Sequence, residues 1–146
     1  MALEIEHKYL VKNDSYKDLA IDSVLISQGY LCREPERTVR IRIKGEKGYI
    51  TVKGKNSGAV RTEFEYEIGL DDAKIMLSLC VPPVLEKIRH IVPFEGHIWE
   101  VDEFLGCRTG LVTAEIELES PDEWYAVPSF VGENVTGNPD YYNSNL

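Results

Sequence analysis

The sequence predicts an all-β-dominated α+β fold in which eight strands close into an antiparallel barrel with a charged interior. Three observations support this prediction. Eight segments alternate in polarity with a period of two residues, and turns or short loops join most of them. One long segment, after the fifth strand, has helical spacing instead. In seven of the eight strands, charged side chains share one face and apolar side chains share the other.

The first strand shows this pattern most clearly. In Leu3–Val11, the charged side chains of Glu4, Glu6 and Lys8 share one face because successive strand residues point to opposite sides. Cap-forming residues predict a short helix over 16–20, and glycine-containing turns separate the later strands. The strands predicted before the main helix cover residues 3–11, 23–31, 38–44, 49–53 and 61–68.

The period changes after the fifth strand. Apolar residues three and four positions apart predict one covering amphipathic helix over 70–80, which Pro82–Pro83 ends. The remaining strands are predicted at 84–92, 97–104 and 111–120. The tail from Pro121 is rich in Pro, Gly, Asn and aromatic residues, so we predict an irregular tail with a short helix near 140–145. We expect residues 1–146 to form a single domain.

Composition limits the classes of partner. The chain has 146 residues and a net charge of -9, which argues against binding to nucleic acid or to an anionic membrane surface. No apolar run approaches the length of a membrane span. The three cysteines are scattered at Cys32, Cys80 and Cys107, which favours reduced thiols in a cytoplasmic protein.

The charged rows have two interpretations. Any one strand fits an ordinary sheet with one solvated face. Taken together, however, the in-phase residues are almost purely acidic or basic, and they segregate by strand. Examples are the pairs Arg40 and Arg42, Glu63 and Glu65, Lys87 and Arg89, and Glu115 and Glu117. If these faces point inward, eight strands enclose a tunnel ringed by both signs of charge. Such crowded charges need pairing or ions, so a polyanion with divalent metal would complement them.

The charged motifs also occur in a characteristic order. They are Glu4-x-Glu6-x-Lys8, Val39-Arg40-Ile41-Arg42, Thr51-Val52-Lys53-Gly54, Arg61-x-Glu63-x-Glu65, Glu86-Lys87-x-Arg89 and Glu115-x-Glu117-x-Glu119. The first resembles the ExExK signature of the CYTH superfamily, also called triphosphate tunnel metalloenzymes. With the tail, the similarity to short bacterial members covers essentially the whole chain. One departure is Asn134, where those members are expected to carry Glu.

This resemblance implies an enzyme that binds a linear triphosphate in the tunnel and hydrolyses it with Mg²⁺ or Mn²⁺, using two ions. The carboxylates implied as metal ligands are Glu4, Glu6, Glu63, Glu65, Asp102, Glu115 and Glu117. The implied phosphate-binding residues are Lys8, Arg40, Arg42, Lys53, Lys87 and Arg89. We expect catalysis to depend most directly on Glu6, Lys8 and Glu117.

Several activities are compatible with these residues. Inorganic triphosphatase is the leading hypothesis, with a small-molecule triphosphate as substrate. The alternatives are a nucleoside-triphosphatase, a thiamine-triphosphatase or an adenylate cyclase, and the sequence identifies no base pocket to choose among them. A non-catalytic polyphosphate or nucleotide sensor fits less well, because binding phosphate does not need so many carboxylates. The apolar outer face of the barrel could support a homodimer.

Overall fold

Nine strands form one antiparallel sheet in the computed structural model, which describes residues 3–146. The strands are β1 (Leu3–Val11), β2 (Asp22–Glu34), β3 (Arg37–Lys44), β4 (Lys47–Gly54), β5 (Val60–Ile68), β6 (Val81–Phe94), β7 (His97–Phe104), β8 (Val112–Glu117) and β9 (Val131–Asn134). The helices are α1 (Tyr16–Leu19) and α2 (Leu70–Ser78), with 3₁₀ turns at Gly106–Arg108, Pro139–Tyr141 and Asn143–Asn145. None of the helices in this described part has the length and apolar character of a membrane span.

The strand order closes the sheet into a barrel. The order is β5-β4-β3-β2-β6-β7-β8-β1-β9, and β1 also pairs with β5. This last pairing joins the two ends of the eight-stranded run, so the predicted closed antiparallel barrel is confirmed. The ninth strand, β9, is added outside that ring on the edge of β1.

Strand β1 makes the closure, because its two halves have different neighbours. Its first residues pair with β5, where Glu4 is opposite Arg61. Its later residues pair with β9 on the same edge and with β8 on the other edge. The β8 register places Glu6 opposite Glu117 and Lys8 opposite Glu115. Since directly opposite residues share a face of the sheet, this register gathers the charged side chains inside the barrel.

The apolar faces point outward and are covered in two places. Trp99, Val101, Ile116 and Phe130 are almost completely buried in a cluster that lies under the tail. The second cluster is built around Ile41 and lies under α2. Helix α2 approaches the sheet closely at Gly48, where a Cβ atom would lie 2.6 Å from the Cβ of Ala73. The barrel therefore has a charged interior and an apolar exterior that is partly covered by the tail and α2, as the sequence predicted.

Several boundaries differ from those predicted. The tail contains β9, which the sequence prediction missed because a four-residue strand with Gly132 shows no alternation. Helix α2 ends at Ser78, and β6 begins early enough to include Pro82–Pro83. Prolines are tolerated there because they lie at the start of the strand. Near 140–145, two 3₁₀ turns stand where one short helix was expected.

Candidate active site

The barrel encloses a cavity of about 250 Å³ that is lined mainly by charged side chains. Most of these charged residues lie on β1, β3, β4, β5, β6 and β8, where alternate side chains along each strand point into the barrel. The cavity lining includes the predicted site residues Glu4, Glu6, Lys8, Arg40, Arg42, Lys53, Glu63, Glu65, Arg89, Glu115 and Glu117. Lys44, Arg61 and Glu100, which are in phase with these rows, line it as well. Two predicted site residues, Lys87 and Asp102, do not.

Three carboxylates converge at one side of the cavity. Carboxylate oxygens of Glu4, Glu6 and Glu117 all lie within 4.8 Å of one another. Burial, followed by the negative charges of Glu115 and Glu4, raises the pKa of Glu6 well above its ordinary value. Burial and the charges of Glu100 and Glu4 also raise the pKa of Glu117. These residues fit a divalent cation, because it would offset their repulsion and because carboxylate oxygens are the ligands that Mg²⁺ and Mn²⁺ prefer.

The pKa values of the neighbouring carboxyl groups of Glu6 and Glu115 shift in opposite directions. Burial works against ionisation of Glu115, but the nearby Lys8 and a hydrogen bond from Glu6 lower its pKa to about 2. The Lys8 Nζ atom lies 3.8 Å from Glu115 Oε1. Without a cation, a proton at this pair therefore favours Glu6, and the negative charge favours Glu115.

The basic side chains of the cavity pair with its carboxylates. Glu65 accepts hydrogen bonds from Arg40 at 3.3 Å and from Arg42 at 3.2 Å. Burial and two neighbouring guanidinium groups lower the pKa of Arg42 to about 10, so it stays charged at neutral pH. Lys53 Nζ lies 3.0 Å from both carboxylate oxygens of Glu4. Guanidinium and ammonium groups in this number suit the oxygens of a phosphate chain.

Lys87 and Asp102 pair with each other beneath the cavity wall. The Lys87 side chain is 0% exposed and that of Asp102 is 1% exposed, with Nζ and Oδ2 2.8 Å apart. Arg89 donates to both oxygens of Asp102, from Nε at 2.8 Å and from Nη2 at 2.9 Å. Burial lowers the pKa of Lys87 to about 8, although Asp102 partly opposes this shift. Asp102 thus lies among bases rather than in the carboxylate cluster, and its role as a metal ligand stays a prediction.

The tail contributes cavity residues that the sequence analysis did not identify. They are Val135, Thr136, Gly137, Tyr142, Asn143 and Ser144. The backbone carbonyl of Tyr141 also accepts a hydrogen bond from Lys8 Nζ at 2.9 Å. Periodicity could not indicate these residues, because they lie in irregular structure. The only signal was the resemblance of the tail to that of the short bacterial proteins.

We expect the free energy of unfolding of the metal-free protein to fall as pH rises from about 4.5 towards neutrality. In this range the raised pKa values of Glu6, Glu63 and Glu117 mean that the native state binds more protons than the unfolded state. The lowered pKa values of Asp102 and Glu115 act below this range, where stability is lost as pH falls.

Urea unfolding at about pH 5 and about pH 7.5 measures this effect, with EDTA or with Mg²⁺. Because the cation binds ionised carboxylates, we expect Mg²⁺ to stabilise the protein more at the higher pH. Equal stabilisation at both values would contradict a site built on these acids.

Comparison with known proteins agrees with this geometry. Residues 2–136 match the family model of the CYTH domain. A relative from Acetivibrio thermocellus, named inorganic triphosphatase, is 49% identical over 147 residues that cover 100% of this chain and 94% of the relative. A second protein of that name, from Nitrosomonas europaea, is 29% identical over 98% of this chain and 95% of its own. A solved inorganic triphosphatase structure aligns with a TM-score of 0.71 and 28% identity, covering 97% of this chain and 95% of that one. The chain therefore belongs to the CYTH family.

Proposed function

We propose that this protein is a divalent-metal-dependent hydrolase of linear triphosphates, with inorganic tripolyphosphate as its substrate. The observation that carries the proposal is the composition of the cavity. One enclosed space joins the carboxylates of Glu4, Glu6 and Glu117 to the guanidinium groups of Arg40 and Arg42. A polyanion with its counter-cation complements both sets of side chains. The triphosphatase names of the relatives at 49% and 29% identity also support it.

In this proposal the basic side chains of the cavity release their carboxylate partners and bind phosphate oxygens instead. Arg40, Arg42 and Lys53 now contact acidic side chains, so phosphate oxygens would take the place of those carboxylates. Arg89 lines the cavity while its Nε and Nη2 atoms remain held by Asp102. Lys87 would then act through Asp102, by keeping that carboxylate charged and Arg89 in place.

The carboxylates have two roles in the proposal. Glu4, Glu6 and Glu117 would hold Mg²⁺ or Mn²⁺, and Glu63 and Glu115 stand beside them for a second ion. A bound cation lowers the pKa of water and offsets charge on the phosphoryl oxygens. Their raised pKa values make the carboxylates of Glu6 and Glu117 stronger bases than an ordinary glutamate, which suits either of them to accept the proton of the attacking water.

A panel of three substrates tests the proposal. Tripolyphosphate, ATP and thiamine triphosphate are each incubated with Mg²⁺, with Mn²⁺ and with EDTA, and all products are identified. We expect phosphate release from tripolyphosphate that EDTA abolishes. Pyrophosphate together with cyclic AMP would select the cyclase instead, and binding without turnover would select the sensor.

A further inference from the structure

Arg89 lines the cavity, but acidic side chains already hold much of its guanidinium group. Its Nε and Nη2 atoms donate to the two carboxylate oxygens of Asp102, at 2.8 Å and 2.9 Å. An arginine carries five N–H groups in a fixed fork, so this bidentate pair leaves the edge that carries Nη1 for a further partner. A phosphate oxygen can therefore reach Arg89 at that edge without breaking the pair with Asp102.

Glu100 occupies this remaining edge of Arg89. The Oε2 atom of Glu100 accepts a hydrogen bond from Arg89 Nη1 at 3.2 Å. Glu100 lies two residues before Asp102 on β7, so both side chains point into the barrel. Glu100 also lines a second pocket, which includes Gly96 and His97 at the β6–β7 turn. Its side chain is 26% exposed, whereas that of Asp102 is 1% exposed, so Glu100 has room to turn away and Asp102 does not.

A bound phosphate chain and Glu100 compete for the same N–H group. Both are anions, and a phosphate oxygen at Arg89 Nη1 would take the position that the carboxylate oxygen now holds. Like charges a few ångströms apart repel more strongly in a partly buried site than in water. Glu100 must therefore leave Arg89, and its charge must be offset elsewhere, before a phosphate chain can use this arginine.

The surroundings of Glu100 offer it another partner when a divalent cation is bound. Glu100 is directly opposite Glu115 in the pairing of β7 with β8, so the two side chains share a face. Glu115 is 7% exposed, and its Oε1 atom has no hydrogen-bond partner within residues 3–146. The charge of Glu100 also acts on Glu117, one of the three converging carboxylates. A Glu100 side chain that leaves Arg89 is therefore close to carboxylates whose repulsion a cation would offset.

We propose that Glu100 is a positioning residue that occupies Arg89 in the metal-free protein and releases it to the phosphate chain when a divalent cation is bound. Without the cation, Glu100 competes with the phosphate chain. With the cation, the negative charge of Glu100 helps to hold it. One side chain thus couples the affinity for the phosphate chain to the affinity for the cation. This inference rests on the proposed function, because it presumes that a phosphate chain occupies the cavity.

The test measures phosphate-chain affinity of the full chain with EDTA and with excess Mg²⁺. The ligand is the imido (P–N–P) analogue of tripolyphosphate, which resists hydrolysis, and binding is followed by titration calorimetry. With EDTA, we expect Glu100→Gln to bind the analogue at least about fivefold more tightly than the wild-type protein, because a neutral amide competes less for Arg89. With Mg²⁺, we expect this gain to disappear or reverse, because the variant has lost a negative charge that helps to hold the cation.

Glu119→Gln is the matched control, because Glu119 is exposed in the same second pocket and the change removes the same charge. Arg89 forms ion pairs with Glu100 and Asp102, and Glu119 is not among its partners within residues 3–146. An equal gain in Glu119→Gln would overturn the inference. An unchanged or weaker metal-free affinity in Glu100→Gln, or the same gain with and without Mg²⁺, would overturn it as well. Tripolyphosphate that is not hydrolysed would refute the proposed function, while the affinities of the analogue would still decide the role of Glu100.

Discussion

Glu6→Gln is expected to remove nearly all triphosphate turnover and, at the same time, to stabilise the metal-free protein at neutral pH. The activity loss, at least about 100-fold in kcat, follows from removing one of three converging carboxylates. The stabilisation follows from the raised pKa of Glu6, because ionising this buried group beside Glu115 and Glu4 is unfavourable. A glutamine of the same shape carries no charge, so the repulsion ends.

A loss of turnover together with a gain in stability distinguishes a carboxylate that serves the reaction from one that holds the fold together. Phosphate release from tripolyphosphate and urea unfolding with EDTA, both near neutral pH, give the two readouts. Glu67→Gln is the matched control, because Glu67 lies on the same strand as Glu63 but its side chain is 59% exposed beside Lys47. A Glu6→Gln protein with normal turnover, or with lower metal-free stability, would contradict the assignment of Glu6 to a cation site.

The direction of the side chains could be predicted because a strand has a strict period of two. Once β1 forms, Glu4, Glu6 and Lys8 must share a face, and the in-phase rows of β3 and β8 follow the same rule. The sequence also indicates that the interior is charged, since acids and bases alternate with apolar residues on nearly every strand.

Depth along the barrel axis could not be predicted in this way. Arg89 and Lys87 are in phase on β6, yet Arg89 lines the cavity and Lys87 is wholly buried. Their difference arises from barrel tilt and from neighbours on other strands, which the local period does not contain. The path of the C-terminal tail could not be predicted for a related reason. Its position depends on contacts such as that of Lys8 with Thr136, two residues that are 128 positions apart in the sequence.

Asp102→Asn is expected to destabilise the protein by about 3–5 kcal/mol, because it leaves the buried Lys87 ammonium without its negative partner. Urea unfolding at neutral pH measures the loss. Part of the deficit should disappear as pH rises towards about 8, because the pKa of Lys87 is about 8 in the wild-type protein and should fall further without Asp102, so only the variant loses the Lys87 proton in this range. Between that lowered pKa and the unfolded value, the unfolded chain binds more protons, so stability of the variant rises with pH.

Glu100→Gln is the matched control for this prediction. Glu100 also contacts Arg89, at 3.2 Å, but its side chain is 26% exposed, so we expect a loss of at most about 1 kcal/mol. The comparison also tests the sequence-based role of Asp102 as a metal ligand. If Asp102 acts through its ion pairs, Asp102→Asn lowers stability equally with and without Mg²⁺. If Asp102 binds the cation, the variant instead loses the stabilisation that Mg²⁺ provides, because stabilisation by a ligand scales with its affinity for the folded state.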